Sequence, residues 1–384
     1  MEYEKGILIL TFCFSPNIGG VETHLQDLLN YLKTKNKFKI YVLTYQPITT
    51  KARGKYFERY DNISIIRLPW IGFNLFHKLE PYPIFEFLYI TPWLFLWTII
   101  FLLFKGKYID IIHSQGFNAA FIARLQKKIY NKRFIVSTHA VYEMNPSSFM
   151  AKMVKWTLVG ADKILALSEA SRKELIKVGL DPLKINTFTY WLDQDVFKPM
   201  EKMEAKTIIG LQNKFIVLFV GRFIKVKGID LLLDVAKAIN KNIYFIFVGD
   251  GPLSETIREA SKVHSNIVYI GKIENNELPV YYNSADLLCV PSQYEEGFGR
   301  VILESLSCGT PVLASNKGGI PEAVNETVGM LIEPSVVNVQ EKIELLYKKP
   351  GMLQEMASQC REYALKHFSR KNADLIIENY NSLK

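Results

Sequence analysis

Apolar and polar positions along this chain follow two alternating rhythms. Short runs such as "ILILTFCF" (7–14), "FKIYVLTY" (38–45), "YIDIIHS" (108–114) and "RFIVSTH" (133–139) have the length and β-branched or aromatic content of buried strands. Between the first two, Val21 to Leu32 repeats its apolar residues at helical spacing. A second series starts at "FIVLFVG" (215–221) and continues through "IYFIFVGD", "IVYIG", "ADLLCVPS" and "PVLAS". Strand and helix in alternation predict an α/β fold, with parallel sheets covered by helices on both faces. The intervening stretch 190–214 is poor in strand pattern and carries Pro199, so a hinge is expected at 197–212. Residues 1–196 and 213–365 then form two Rossmann-like domains. They are expected to face each other across a deep cleft lined by loops at the carboxyl ends of the strands.

One segment departs from both rhythms. Phe87 to Phe104 carries no charge over 18 residues, the lower edge of a membrane-spanning length. Thr91 and Pro92 resemble an N-cap and a first-turn proline, which predicts a helix over 92–104 of roughly 20 Å, too short to span. Spanning would also separate strands assigned to one sheet. With Trp93 and Trp97 one turn apart and Lys105 and Lys107 following, in-plane contact with an anionic membrane surface is expected, the alternatives being a core helix or a subunit contact.

Length and composition narrow the picture further. The chain has 384 residues, enough for two domains each with its own core, and 49% hydrophobic content excludes a disordered or fibrous protein. The net charge of +9 is spread along the chain and suits anionic partners such as phosphates, acidic lipid surfaces or nucleic acid, without choosing among them; the motifs below lead to the expectation of a partner other than nucleic acid. Cys13, Cys289, Cys308 and Cys360 form no CxxC pair and read as buried thiols in a reducing, cytoplasmic compartment. Glu2 and Glu4 precede the first apolar run and no small-residue cleavage pattern follows it, so the run reads as a strand rather than a signal peptide.

Candidate chemistry lies in the loops. Gly19 and Gly20 stand between the first strand and its helix, where backbone amides can approach a phosphate. "GRFIKVKGID" places Arg222 and Lys227 after a strand, a guanidinium fork and a mobile ammonium suited to a diphosphate. Gly249 and Gly251 end a strand in "FVGDGPLSETI", with Ser254 where a dinucleotide fingerprint would have its third glycine. In "EEGFGRVILE", Glu296 precedes a helix beginning near Arg300 and Glu304 lies within it; paired hydroxyls of a sugar suit such carboxylates. "DQD" (193–195) looks like a metal motif but enters the hinge rather than ending a strand, and no metal or cofactor is expected.

"EGFGRVILE" resembles the E-x7-E motif of the retaining glycosyltransferases of family four, the glycogen synthase and lipid-sugar transferase group with the GT-B fold. The likeness extends through "GGVETHLQDLL", "IDIIHSQG", "STHAVYE", "ADKILALSEASRKEL", "DVFKP", "VGDGP" and the terminal "HFSRKNADLIIENY". The resemblance implies transfer of a hexose from a UDP- or GDP-sugar, with retention, to a lipid-linked or surface-glycan acceptor at the cytoplasmic face of a membrane. It also implies a C-terminal helix, 366–384, packing back onto the first domain. Arg222, Lys227, Gly19, Gly20 and the turn of Gly297, Phe298, Gly299, Arg300 and Val301 would hold the donor diphosphate, and Glu304 the ribose. Ile273 and Gly249 would form the base pocket, Glu296 would meet the transferred sugar, and His139 would sit over it as a catalytic residue. Tyr190 and Trp191 replace the family's usual Asn-Gly before the hinge aspartate. Two other readings share the fold: a nucleotide-sugar epimerase and a binding subunit without turnover.

Overall fold

In the computed structural model, residues 3–17, 19–70, 75–79, 82–140, 144–239 and 242–383 are described. They fall into two compact units, 1–190 with 370–384, and 191–369.

The first unit contains β1 (Lys5–Leu10), β2 (Phe38–Tyr45), β3 (Phe57–Tyr60), β4 (Ile63–Leu68), β5 (Ile111–Gln115), β6 (Arg133–Thr138), β7 (Lys163–Ala166) and β8 (Ile185–Thr187). They pair in the order β3-β4-β2-β1-β5-β6-β7-β8, and β3 alone runs antiparallel. Ile7 to Leu10 of β1 are buried on both faces, as a central parallel strand covered by helices requires. The helix Gly20–Lys35 turns Leu25, Leu28, Leu29 and Leu32 inward, one stripe at three- and four-residue spacing. Residues from Arg370 onward also belong to this unit. In the helix Asp374–Ser382, Tyr380 is fully buried, with its hydroxyl 2.6 Å from His113 Nδ1 and its ring 5.5 Å from that of Phe38.

The second unit contains β9 (Phe215–Val220), β10 (Ile243–Val248), β11 (Ile267–Gly271), β12 (Leu287–Val290), β13 (Val312–Ser315) and β14 (Gly329–Ile332). Their order is β11-β10-β9-β12-β13-β14, with every pairing parallel. Strand order reverses between β9 and β12, whose register pairs Leu218 with Leu288.

The second unit begins at Trp191. The stretch 197–212 packs within that unit: Phe197 is buried, its carbonyl accepts from Arg361 at 2.8 Å, and Lys206 donates to Asp286 at 2.7 Å. One expectation needs revision. The apolar helix begins not at Pro92 but at Pro83 and runs to Lys105, enclosing Pro92. Pro83 occupies the first turn and Glu86 supplies its acidic residue, so the start signal lies one proline earlier. At 23 residues the helix is about 34 Å long, so length no longer argues against spanning.

Candidate active site

The second unit brings its candidate residues to the point where strand order reverses. In an open parallel sheet, loops from the two flanking strands diverge there and leave a crevice for a ligand. Arg222 and Lys227 follow β9, and Ser292 through Glu296 follow β12. Lys227 Nζ donates to Glu296 Oε1 at 2.8 Å and lies 5.2 Å from the centre of the Tyr294 ring. Ser292 Oγ donates to the same carboxylate oxygen. Glu296 is only 4% exposed, so a cation and a hydroxyl compensate a charge withdrawn from water. Burial opposes the charge on Lys227, but Glu296 and Tyr294 outweigh it and raise the ammonium pKa above its ordinary value. Arg222 is exposed beside this pair in sequence.

Two glycines give the loops their shape. Gly249 has φ +144°, and its N–H donates to Gly271 O at 2.8 Å, bringing the ends of β10 and β11 together just before Ile273. Gly318, at φ +57°, lies against the Glu295–Glu296 backbone: its amide donates to the Glu295 carboxylate, while Gly319 N–H donates to Glu296 O at 2.8 Å. An added Cβ at 318 would stand 2.7 Å from Glu296 N.

The turn from Gly297 to Gly299 leads into the helix Arg300–Ser307. Phe298 is buried, its ring 6.0 Å from that of Phe368, which anchors the turn, and Val301 is half-buried in the first helical turn. Glu304 is no surface acid. It is 3% exposed, accepts from Tyr282 Oη at 2.8 Å on one oxygen and pairs with Arg300 Nε at 3.0 Å on the other. Arg300 also donates to Trp191 O at 3.3 Å. Its guanidinium thus braces Glu304 and the start of the unit. Burial, then the charge of Glu304, raises the pKa of the Tyr282 hydroxyl well above its usual range, leaving it a donor.

In the first unit, His139 follows β6. Its Nδ1 is 3.0 Å from Tyr190 Oη and its Nε2 2.8 Å from Gln115 Oε1, with Gln115 ending β5. As the amide is placed, Nε2–H donates to Gln115 and Nδ1 accepts from Tyr190. Burial lowers the imidazole pKa to about 3, so the ring is neutral at pH 7. His24, on the helix Gly20–Lys35, packs its ring 4.5 Å from that of Tyr190. Gly19 is extended at φ −178°, and Gly20 has open space where a Cβ would project. Neither backbone conformation demands glycine, and the open space leaves room for close approach.

Asp193 Oδ1 accepts from Asp195 N at 3.0 Å, so "DQD" closes a local turn. Ser292, Tyr282 and Gly318 were not singled out from the sequence, nor were Gln115 and Tyr190 as partners of His139. Their signals were slight: Gln115 in "HSQG", Gly318 in "NKGG", and Tyr190 as a departure from the family pattern.

The second unit is thus an open parallel α/β sheet with a lysine–carboxylate pair at its switch point, the place where domains of this class bind their ligands. The second unit matches the family described as "Glycosyl transferases group 1" over residues 201–367, and the first matches "Glycosyltransferase Family 4" over residues 18–189. The chain belongs to the family-four glycosyltransferases of GT-B type, enzymes that transfer a sugar from a nucleotide sugar. It is 24% identical to a phosphatidylinositol N-acetylglucosaminyltransferase subunit of Arabidopsis thaliana, over 88% of this chain and 73% of that protein. Among solved structures, sucrose-phosphate synthase from Thermosynechococcus elongatus superposes with a TM-score of 0.81 at 21% identity, covering 99% of each chain. Anabaena Alr3699/HepE in complex with UDP superposes with a TM-score of 0.78 at 20% identity, covering 98% of this chain and 100% of that one.

Proposed function

We propose that this enzyme moves a hexose from a UDP- or GDP-sugar to a hydroxyl of a lipid-linked oligosaccharide or surface-glycan precursor at the cytoplasmic face of a membrane, with retention and without a metal. The observation that carries the donor side is the buried Glu296–Lys227 pair at the switch point of the second unit. In this reading the anomeric carbon–oxygen bond to the diphosphate breaks and a bond to the acceptor oxygen forms on the same face. The acceptor proton passes to the departing phosphate oxygen. Arg222, Lys227 and the amides of Gly19, Gly20 and the 297–301 turn take up the charge developing on the leaving group, the role a metal plays elsewhere.

Glu304, held by Tyr282 and Arg300, is assigned to the ribose, and Ile273 and Gly249 to the base. Glu296 is assigned to the transferred sugar, where its carboxylate stabilises positive charge near the reacting carbon. The neutral imidazole of His139, with both nitrogens engaged, suits a fixed polar surface toward the sugar better than a proton carrier. The UDP complex of HepE and the phosphatidylinositol substrate in the name of the Arabidopsis relative support the choice of donor and of a lipid acceptor.

Release of UDP or GDP from a panel of nucleotide hexoses in EDTA tests the reading. Slow release from one donor, lost in Glu296→Ala and Arg222→Ala, is the expected result. Tight donor binding without turnover, even with acceptor lipids added, would instead indicate a binding subunit, and turnover that requires a divalent cation would refute the metal-free assignment.

A further inference from the structure

The helix Pro83–Lys105 buries one narrow stripe, Ile90, Thr91, Leu94, Thr98 and Leu102. Its other face is apolar and open to solvent: Ile84, Phe85, Leu88, Leu103 and Phe104 are between 59% and 76% exposed. A second helix, Phe149–Val159, has the same character. It turns Ala151, Val154 and Leu158 inward and leaves Phe149 72% exposed, with Trp156 and Val159 also exposed. Aromatic rings join the two. Phe87 lies 5.1 Å from Phe121, and Phe121 lies 5.6 Å from Trp156. The Arg124 guanidinium sits 4.1 Å from the centre of the Trp156 ring.

Charge on this surface is mostly positive. Lys105, Lys107, Lys152 and Lys155 are exposed on or just beyond the two helices, whereas Glu86, half-buried, is the sole acid within them and the exposed Asp110 follows the longer one. We propose that the two helices form a single platform that lies in the plane of an anionic lipid surface, with the apolar side chains among the acyl chains and the lysines at the headgroups. Spanning is disfavoured by topology. Strand β4 precedes the longer helix and β5 follows it, yet both belong to one continuous sheet, which a membrane cannot divide. A second copy of the chain is a poorer occupant, since pairing like surfaces would set lysines against lysines, whereas anionic headgroups complement them. The platform deepens the reading of a lipid-borne acceptor, and flotation needs no turnover, so the two can fail separately.

The test is flotation of the full chain with vesicles of phosphatidylcholine alone or mixed with phosphatidylglycerol. Wild type should float with the mixed vesicles. Leu103→Ser/Phe104→Ser and Phe149→Ser/Trp156→Ser should each weaken binding by about tenfold or more, and Lys152→Glu/Lys155→Glu should do so on anionic vesicles only. All three pairs alter exposed side chains, and unchanged melting temperatures would show that they fold. Wild type remaining unfloated with both vesicle types would overturn the proposal. So would binding indifferent to the Phe149 and Trp156 changes, or vesicle-free dimers that the same substitutions dissolve.

Discussion

Gly318→Ala is a single methyl group aimed at the backbone that carries Glu296. Gly318 holds φ +57°, where an L-residue with a Cβ costs about 1–2 kcal/mol. Its new Cβ would collide first with the Glu296 carbonyl oxygen, and it would stand 2.7 Å from Glu296 N and 2.9 Å from the Glu295 carbonyl carbon, whereas ordinary contact begins at 3.4 Å. Relieving the oxygen contact requires the Glu295–Glu296 backbone to retreat by about 1 Å. A misplacement of about 1 Å in catalytic geometry costs on the order of 10²-fold in rate, so a loss of about tenfold or more is expected here. The strain should also lower the melting temperature by about 2–8 °C, at roughly 2–4 °C per kcal/mol for a unit of this size. Gly351→Ala is the control. It lies early in the helix Pro350–His367 with open space around it, and should leave both readouts unchanged or raise stability slightly. Donor turnover and melting are measured on the same preparations. If Gly318→Ala turns over at the wild-type rate and melts with the control, the contact does not position Glu296 and the argument fails.

Removing one hydroxyl should weaken the other end of the site. Tyr282→Phe withdraws a buried donor from Glu304 and should cost about 1.5–3 kcal/mol, read as a lower melting temperature and weaker nucleotide binding by calorimetry. Acid should expose the buried histidines. Burial, then the nearby His139, lowers the pKa of His113 to about 3, against an ordinary value near 6.5. The unfolded chain therefore takes up a proton between about pH 6.5 and 3 that the folded chain refuses, and stability falls as pH falls through that window. At about pH 4.5, urea unfolding of His113→Gln should show an acid-induced loss smaller than that of wild type by roughly 2–3 kcal/mol; equal losses would contradict this.

Much of this fold was legible because its strands are central and parallel. Runs such as "FIVLFVG" are apolar on both faces and bounded by glycine, a signal that needs no knowledge of their neighbours. The E-x7-E spacing was legible for a similar reason, since Glu296 and Glu304 are tied to one turn and one helix. What was hidden depends on contacts between distant positions. Tyr282 reaches Glu304 from another helix, and Gly318 touches Glu296 only after β13 has been laid into the sheet. The apolar helix was misread for a different reason. Pro83 and Pro92 both carry first-turn chemistry, and only packing of the stripe from Ile90 to Leu102 decides that the second lies inside. Of the aromatic stretch Leu68–Phe85, expected from the sequence to meet the acceptor's apolar portion, residues 71–74, 80 and 81 lie outside the described residues.

Tyr380 fills the interior of a unit whose other residues were made long before it. A ribosome reaches Tyr190 about half-way through the chain, then must complete the second unit before it supplies Arg370 and the last helix. At about 5–20 residues per second, the first unit waits roughly 10–40 s with the space beside His113 and Phe38 unfilled. The second unit is contiguous and is complete once Ser369 is made, whereas the first stays open until Tyr380 arrives, so the unit begun first is not the unit finished first.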